Sequence, residues 1–310
     1  MKALIAEALR RWNMVGADSV FVTGRENQVF KLSGPAGIFA LRVRRPGLRN
    51  IAEIESELAW LDALDQAGLP VPRPHASTKG AMLEHIDGYA VDMVGWLPGA
   101  PVGQSRNPLQ LDDPVGVFHA VGRAMAGLHI ASDAFQEPAG FSRVRWDRAG
   151  LLGDDPVWGR FWENPTLDAS MRSLLGMFRK TANMDLAQHE ATLDYGLIHA
   201  DLVRENLLHE SGQINLIDFD DGGYGFRLFD VATALLKNRK EPHYADLKAA
   251  LCEGYLSVRP LDMQLLDLFV ALRAVTYVGW VITRMNEPGA PIRNDTFIKD
   301  ARECCEAYLG

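Results

Sequence analysis

Cysteine is scarce in this chain. Only Cys252, Cys304 and Cys305 occur among 310 residues, and no pair has Cys-x-x-Cys spacing. A disulfide framework and a zinc ribbon are excluded, and a reducing compartment is expected. Excess positive charge is also missing: 32 Lys and Arg stand against 40 Asp and Glu, a formal net charge of -8. Nucleic-acid binding as the main task needs a basic face, so no nucleic-acid partner is expected. The N-terminal stretch carries Glu7, Arg10 and Arg11 where a secretory leader needs an unbroken apolar run. The most apolar segment, Leu268 to Ile282, is interrupted by Arg273. Its length falls short of a bilayer, which predicts a buried helix and no membrane partner. A cytoplasmic protein is expected.

What is present is an ordinary globular composition, with 47% hydrophobic and 23% charged residues, which excludes a mostly disordered chain. The charge is unevenly spread. Residues 1–100 hold 11 basic and 11 acidic residues, whereas 101–310 hold 21 and 29, so the net charge lies in the second part. After a short helix at 3–12, the stretches 19–23, 28–33 and 38–44 read as strands. A helix over 50–67 follows, with Ile51, Ile54, Leu58, Leu61 and Leu64 on one face, closed by Gly68. Strands near 82–86 and 89–95 are joined by Asp87-Gly88, a hairpin signal. The segment Leu97-Pro98-Gly99-Ala100-Pro101 marks a boundary, giving units 1–96 and 97–310. Beyond it the pattern is mainly helical. Asp113 and Pro114 open one helix, and others are expected near 166–187, 228–238, 243–257, 262–285 and 295–309. Between the first two of this last group lies a hairpin of strands 206–209 and 213–219, and 133–165 reads as irregular.

The chemistry concentrates in Leu197-Ile198-His199-Ala200-Asp201-Leu202-Val203-Arg204-Glu205-Asn206, followed by Ile217-Asp218-Phe219-Asp220. An apolar strand delivers His199-x-Asp201 into a loop, and the hairpin returns Asp218 towards Asn206. Asp201, Asn206 and Asp218 can thereby converge. A hard divalent cation seeks such oxygen donors, and Mg²⁺ takes only one or two from protein. A further carboxylate beside it can hold an acceptor hydroxyl and take its proton, the division of labour of phosphoryl transfer.

This segment resembles the catalytic and metal loops of the aminoglycoside phosphotransferase/choline kinase-like group, small-molecule kinases of the protein-kinase-like superfamily. Their pattern is H-x-D-x-x-x-x-N followed by I-D-F. The resemblance continues to Asp230-Val231-Ala232, similar to the family's D-L-A. It implies an α+β fold of two lobes: an antiparallel sheet with one main helix, then a mainly helical lobe with a short catalytic hairpin. It also implies ATP and Mg²⁺ as cofactors, Asp201 as catalytic base, and Asn206 and Asp218 as metal ligands. Asp230 would brace the loop, with His199 as a structural member.

The first unit offers the rest of what the resemblance requires. A phosphate-covering turn between the first two strands falls at Gly24-Arg25-Glu26-Asn27-Gln28, where Gly24 and Asn27 are the candidate contacts. The third strand should present a cation to the phosphates. It has no lysine; Arg42 takes that place, and Arg44, two residues on, points to the same side and stays an alternative. The paired carboxylate on the helix is Glu57, with Glu53 one turn earlier as runner-up. Residues Met93 to Leu97 should form the hinge that docks adenine.

Departures from the wider superfamily narrow the class. Only 11 residues separate Asp218 from Asp230, leaving no room for a long activation loop. A small-molecule hydroxyl acceptor is therefore favoured over a protein Ser/Thr acceptor, and the intact Asp201, Asn206 and Asp218 set over a non-catalytic nucleotide-binding module. Candidate acceptor residues are Asp220, Asp221, Tyr224, Trp146, Trp158, Trp162, Tyr277, Trp280 and Arg284. Carboxylates beside aromatic rings suit an amine of the choline, ethanolamine or aminoglycoside type, and Arg284 suits a carboxylate such as that of homoserine.

Overall fold

The structure, a computed structural model, describes residues 1–24, 26–105 and 107–310. The candidate turn residue Arg25 lies outside the described residues. The strands run β1 (Asp18–Thr23), β2 (Gln28–Gly34), β3 (Gly37–Val43), β4 (Leu83–Ile86), β5 (Tyr89–Gly95), β6 (Ala100–Pro101), β7 (Arg145–Trp146), β8 (Tyr195–Ile198), β9 (Leu207–Glu210), β10 (Gln213–Leu216) and β11 (Gly223–Phe226). The helices are α1 (Lys2–Arg11), α2 (Ile51–Gln66), α3 (Pro114–Ala134), α4 (Arg148–Leu152), α5 (Ala169–His189), α6 (Arg227–Leu236), α7 (Tyr244–Leu256), α8 (Leu266–Trp280) and α9 (Ala290–Leu309). Two compact units emerge. The first holds Met1–Ala100 together with Ala134–Arg143 and Leu208–Ile217; the second holds the remainder. The two late segments that join the first unit have no counterpart in an uninterrupted cut at residue 96.

The first unit is built on a five-stranded antiparallel sheet of order β1-β2-β3-β5-β4. Strand alternation decides its chemistry. Leu41, Val43, Val91 and Met93 pack with Leu4 and Ala8 of α1. The intervening Ala40 and Val94 pack with Ile54 and Leu58 of α2. Arg42, Arg44 and Asp92 share the alternation of Ala40 and Val94, so they face α2. That helix starts at Asn50, whose side chain accepts from Glu53 N while the Glu53 carboxylate accepts from Asn50 N, a reciprocal capping box. Ile51, expected on the buried face, is 40% exposed. It is the first helical residue, one turn ahead of the packed stripe.

The second unit is mainly helical, with a small sheet of order β7-β11-β8. All ten residues of α6 are buried, and α8 is buried along nearly its whole length. By length and composition Leu266–Arg284, 19 residues with an 18-residue window of mean hydropathy 1.5, is long and apolar enough to cross a membrane, which corrects the expectation that this run falls short. In this fold 78% of its apolar window is buried inside the protein, and Arg273 at its centre is 0% exposed. Gly279 lets the loop at Trp158 seat on α8: a Cβ there would lie 2.6 Å from Trp158 O and 2.5 Å from Gly159 O. The stretch expected to be irregular contains α4, begun by Asp147 accepting from Gly150 N at 2.8 Å. β10 ends at Leu216 rather than at Phe219. The reason is Asp218, whose φ of 67° is incompatible with an extended strand.

Candidate active site

In the first unit, the residues expected to meet phosphate form a buried charge cluster. Arg42 donates from Nη1 to Glu57 Oε1 at 2.8 Å and from Nε to Asp92 Oδ1 at 2.6 Å. Arg44 donates from Nη2 to Glu57 Oε1 at 3.0 Å and from Nε to Asp92 Oδ2 at 2.6 Å. Arg143, from the later segment, brings Nη1 to 3.7 Å from Glu57 Oε2 and donates to Glu53 O. Both strand arginines thus engage Glu57, and the Glu53 carboxylate is spent on the helix cap. Burial pushes the Glu57 carboxyl up, but the Arg44, Arg42 and Arg143 guanidiniums overcome it and hold the group well below the usual carboxylate range. Three guanidiniums are thereby gathered around two carboxylates, and a guanidinium forks onto phosphate oxygens. Asn27 Oδ1 accepts from Arg45 N at 3.1 Å and ties the β1–β2 turn to the end of β3. Gly24 sits under the Phe21 ring, where a Cβ would lie 2.9 Å from Phe21 Cζ.

In the second unit, β8 delivers the chain into the loop at His199. Ala200 is left-handed, with φ 64°, a conformation that costs an alanine free energy. Asp230 offsets that cost. Its fully buried carboxylate accepts from His199 N at 2.9 Å and Ala200 N at 2.6 Å. Its Oδ2 also lies 3.0 Å from His129 Nε2, and His129 Nδ1 lies 2.7 Å from the Tyr255 hydroxyl. Burial holds the His129 imidazole below its usual value, hence neutral, and pushes the Tyr255 phenol up to about 12. A carboxylate only accepts, so the network assigns the His129 proton to Nε2 and the hydroxyl proton of Tyr255 to the bond with Nδ1. Burial pushes the Asp230 carboxyl up, but the His129 bond and the His199 amide bring it below its ordinary value. His199 itself is buried against Phe219, centroids 4.4 Å apart, and its Nδ1 accepts from Asp201 N at 3.3 Å.

Asp201 is gripped from two sides. Asn206 Nδ2 donates to Asp201 Oδ2 at 3.0 Å and to Asp201 O at 2.9 Å. Arg273 Nη2 donates to Asp201 Oδ1 at 2.7 Å. The Asn206 amide nitrogen is thereby committed to Asp201, and the carbonyl oxygen is the end left to ligate. The turn carrying Asn206 is anchored by buried Arg204, which donates to Asn238, Glu241 and Asn107 O. Phe219 is buried and Asp218 is exposed, the left-handed φ turning it outward. An amide oxygen and a carboxylate are hard donors of the kind a divalent cation takes from protein when phosphates supply the rest. Among the described residues no cluster of three or more His, Cys, Asp or Glu forms an all-protein cage. The donors present fit a cation held jointly with a nucleotide.

Arg273 is absent from the expected site residues, as are Arg143, Asp92, His129 and Lys237. A lone arginine in an apolar helix was the signal, since a buried guanidinium needs an anion. Its guanidinium lies 4.4 Å from the Trp158 ring and 4.3 Å from the Tyr277 ring, and Nη2 also donates to the Tyr277 hydroxyl at 2.9 Å. Lys237, at the end of α6, lies 3.7 Å from the other contact of that ring system, the Tyr277 centroid, and 4.7 Å from the Phe297 centroid. Trp280 carries Arg284 at 4.1 Å. Of the acceptor candidates, Trp146, Trp158, Tyr277 and Trp280 are brought together. Trp146 is buried, stacked on Phe229, with Nε1 donating to Asp221 O. Trp162 carries Arg179, and Tyr224 carries Arg145. Asp220 is buried.

Comparison with known proteins bears on the fold and the family. The phosphotransferase enzyme family matches residues 19–261. A microcompartment-associated aminopropanol kinase of known structure is similar with a TM-score of 0.84 and 29% identity, over 100% of this chain and 98% of that one. A homoserine kinase of Gluconobacter oxydans (strain 621H) is 30% identical over 253 residues, 77% of this chain and 72% of that protein. An amicoumacin kinase solved with AMP-PNP and Ca²⁺ has the same fold, with a TM-score of 0.75 and 20% identity over 97% of this chain and 93% of that one. An antiparallel sheet with its arginine-bound helix glutamate, a braced His-x-Asp loop and this family match lead to one conclusion: the chain belongs to the phosphotransferase enzyme family and is a small-molecule kinase.

Proposed function

We propose that the protein transfers the γ-phosphoryl group of ATP, with Mg²⁺, to a hydroxyl of a small amine-bearing molecule. The observation that carries this reading is the double grip on Asp201 by Asn206 and Arg273, above a loop whose backbone Asp230 fixes. Asp201 orients the acceptor hydroxyl and receives its proton. Asn206 and Asp218 would hold the metal, which when bound neutralises charge on the transferring phosphoryl group. Arg42 and Arg44, fixed by Glu57 and Asp92, steady the nucleotide phosphates. Catalysis is then mostly positioning and charge neutralisation. Aminopropanol and homoserine, named for the similar kinases, set the size of the acceptor. Three free thiols suit a cytoplasmic setting.

The test is ADP release from Mg-ATP across amino alcohols, homoserine, choline and aminoglycosides, with Asp201→Asn alongside. Stimulation by one acceptor class, lost in the variant, is expected. Absence of stimulation by every hydroxyl compound in the panel would sink the reading.

A further inference from the structure

Lys237 is a half-buried cation with no ion-pair partner among the described residues. Its ammonium makes no hydrogen bond or ion pair among the described residues; its contacts are the faces of Tyr277 and Phe297. The carboxylates that act on it from a distance are Asp300, Asp201 and Glu205. Each is committed elsewhere. Asp300 accepts from Lys240 at 2.5 Å. Glu205 accepts from Ser105 N and Oγ, both at 2.7 Å. Asp201 is held by Arg273 and Asn206. Arg273 lies against the same Tyr277 ring and adds repulsion. A partly desolvated ammonium in such surroundings is costly unless an anion arrives. The site that brings one is the acceptor side, because the Tyr277 ring joins Lys237 to the arginine that grips the base.

We propose that Lys237 is the specificity residue for an anionic group on the acceptor, a carboxylate, so that the preferred substrate is a small hydroxy amino acid rather than a simple amino alcohol. The aromatic faces agree. Trp158, Tyr277 and Trp280 already carry the protein's own cations, which leaves them unsuited to cage a quaternary ammonium. A single point charge fits a carboxylate; a phosphate dianion calls for a fork or several donors. This inference rests on the kinase reading above and deepens it.

The test compares two acceptors that differ only by the carboxylate, L-homoserine and 3-amino-1-propanol. Wild-type kcat/KM should favour homoserine by about tenfold or more, the worth of one charged hydrogen bond. Lys237→Met should collapse that ratio to within about threefold of one, and Lys237→Arg should keep most of it. A wild-type ratio at or below one overturns the proposal. So does a Lys237→Met variant that loses both acceptors in proportion, or one whose defect lies in the KM for ATP. Calorimetric titration of both compounds onto the nucleotide-loaded protein reads the subsite without turnover. Tighter binding of homoserine, lost in Lys237→Met, supports it; equal binding, or none, overturns it. The kinase reading fails separately, when no hydroxyl compound stimulates ADP release.

Discussion

The two units use buried carboxylates in opposite ways. In the first unit Glu57 and Asp92 are each gripped by arginines, charge against charge. In the second, Asp230 is buried as deeply, yet its contacts are two backbone amides and a neutral imidazole. The first arrangement fixes cations in place. The second stores shape: it holds a left-handed alanine one residue before the base. Loss of a carboxylate should therefore damage nucleotide affinity in one unit and chemistry in the other.

The largest effect tests the base itself. Asp201→Asn keeps the side chain's size but takes the anion from buried Arg273 and turns an amide N–H towards Asn206 Nδ2, so the melting temperature should fall while the protein still folds. Loss of the proton acceptor should lower kcat by about 10³–10⁴-fold, some 4–5.5 kcal/mol. A residual kcat within tenfold of wild type would remove Asp201 from its role. Next come the two buried carboxylates themselves. Glu57→Ala strands guanidiniums without an anion and should cost about 3–5 kcal/mol in denaturant unfolding, with a raised KM for ATP in whatever folds. Asp230→Ala orphans two amides and should cost about 2–4 kcal/mol, with its kinetic defect in kcat. If both variants showed the same kinetic defect, the contrast between the units would fall.

Acid separates the units further. His129 is held neutral by burial, below its ordinary value of 6.5. The unfolded chain takes up a proton near 6.5 and the folded chain does not, so stability falls as pH drops through that value. Glu57 and Asp230 are both held low. Their contributions are full above the unfolded values, 4.5 and 3.8, and drain away only as pH falls towards the folded ones. Hydrogen-exchange protection at the amides of His199 and Ala200 should therefore weaken between pH 6.5 and 5, by about tenfold, while that of β3 persists. Equal weakening in β3 would show that His129 does not set the first loss.

How far the sequence reveals this depends on separation along the chain. His199, Asp201, Asn206, Asp218 and Asp230 fall within a short run whose pattern carries the family resemblance. Arg42 and Glu57 follow from that resemblance together with the alternation of a strand and the face of a helix. Arg273 lies 72 residues from Asp201, and His129 101 from Asp230, so no local pattern links them. Arg273 was visible as a flaw in an apolar run, but a flaw says nothing about which anion mends it. Asp218 was misplaced on a strand because Ile217-Asp218-Phe219 alternates like one; a left-handed φ leaves no trace in hydrophobic period.

The smallest effect concerns the choice between Glu53 and Glu57, which the sequence leaves open because both lie one turn apart on α2. The structure gives Glu53 to the capping box with Asn50 and Glu57 to the arginines. The two roles predict different losses. Asn50→Ala and Glu53→Ala each remove half of the reciprocal cap and should cost about 1 kcal/mol of stability. Glu53→Gln should cost less, since an amide oxygen can still accept from Asn50 N. None of the three should change the KM for ATP by more than about twofold, because the guanidiniums keep their partner while the helix stays folded. Glu57→Gln keeps the helix and the volume but removes the charge, so it should raise that KM well beyond the cap variants and also cost more stability than they do. A Glu53→Ala variant with the larger KM defect would return the pairing to Glu53, and Glu57 would no longer be the anion that fixes the arginine cluster.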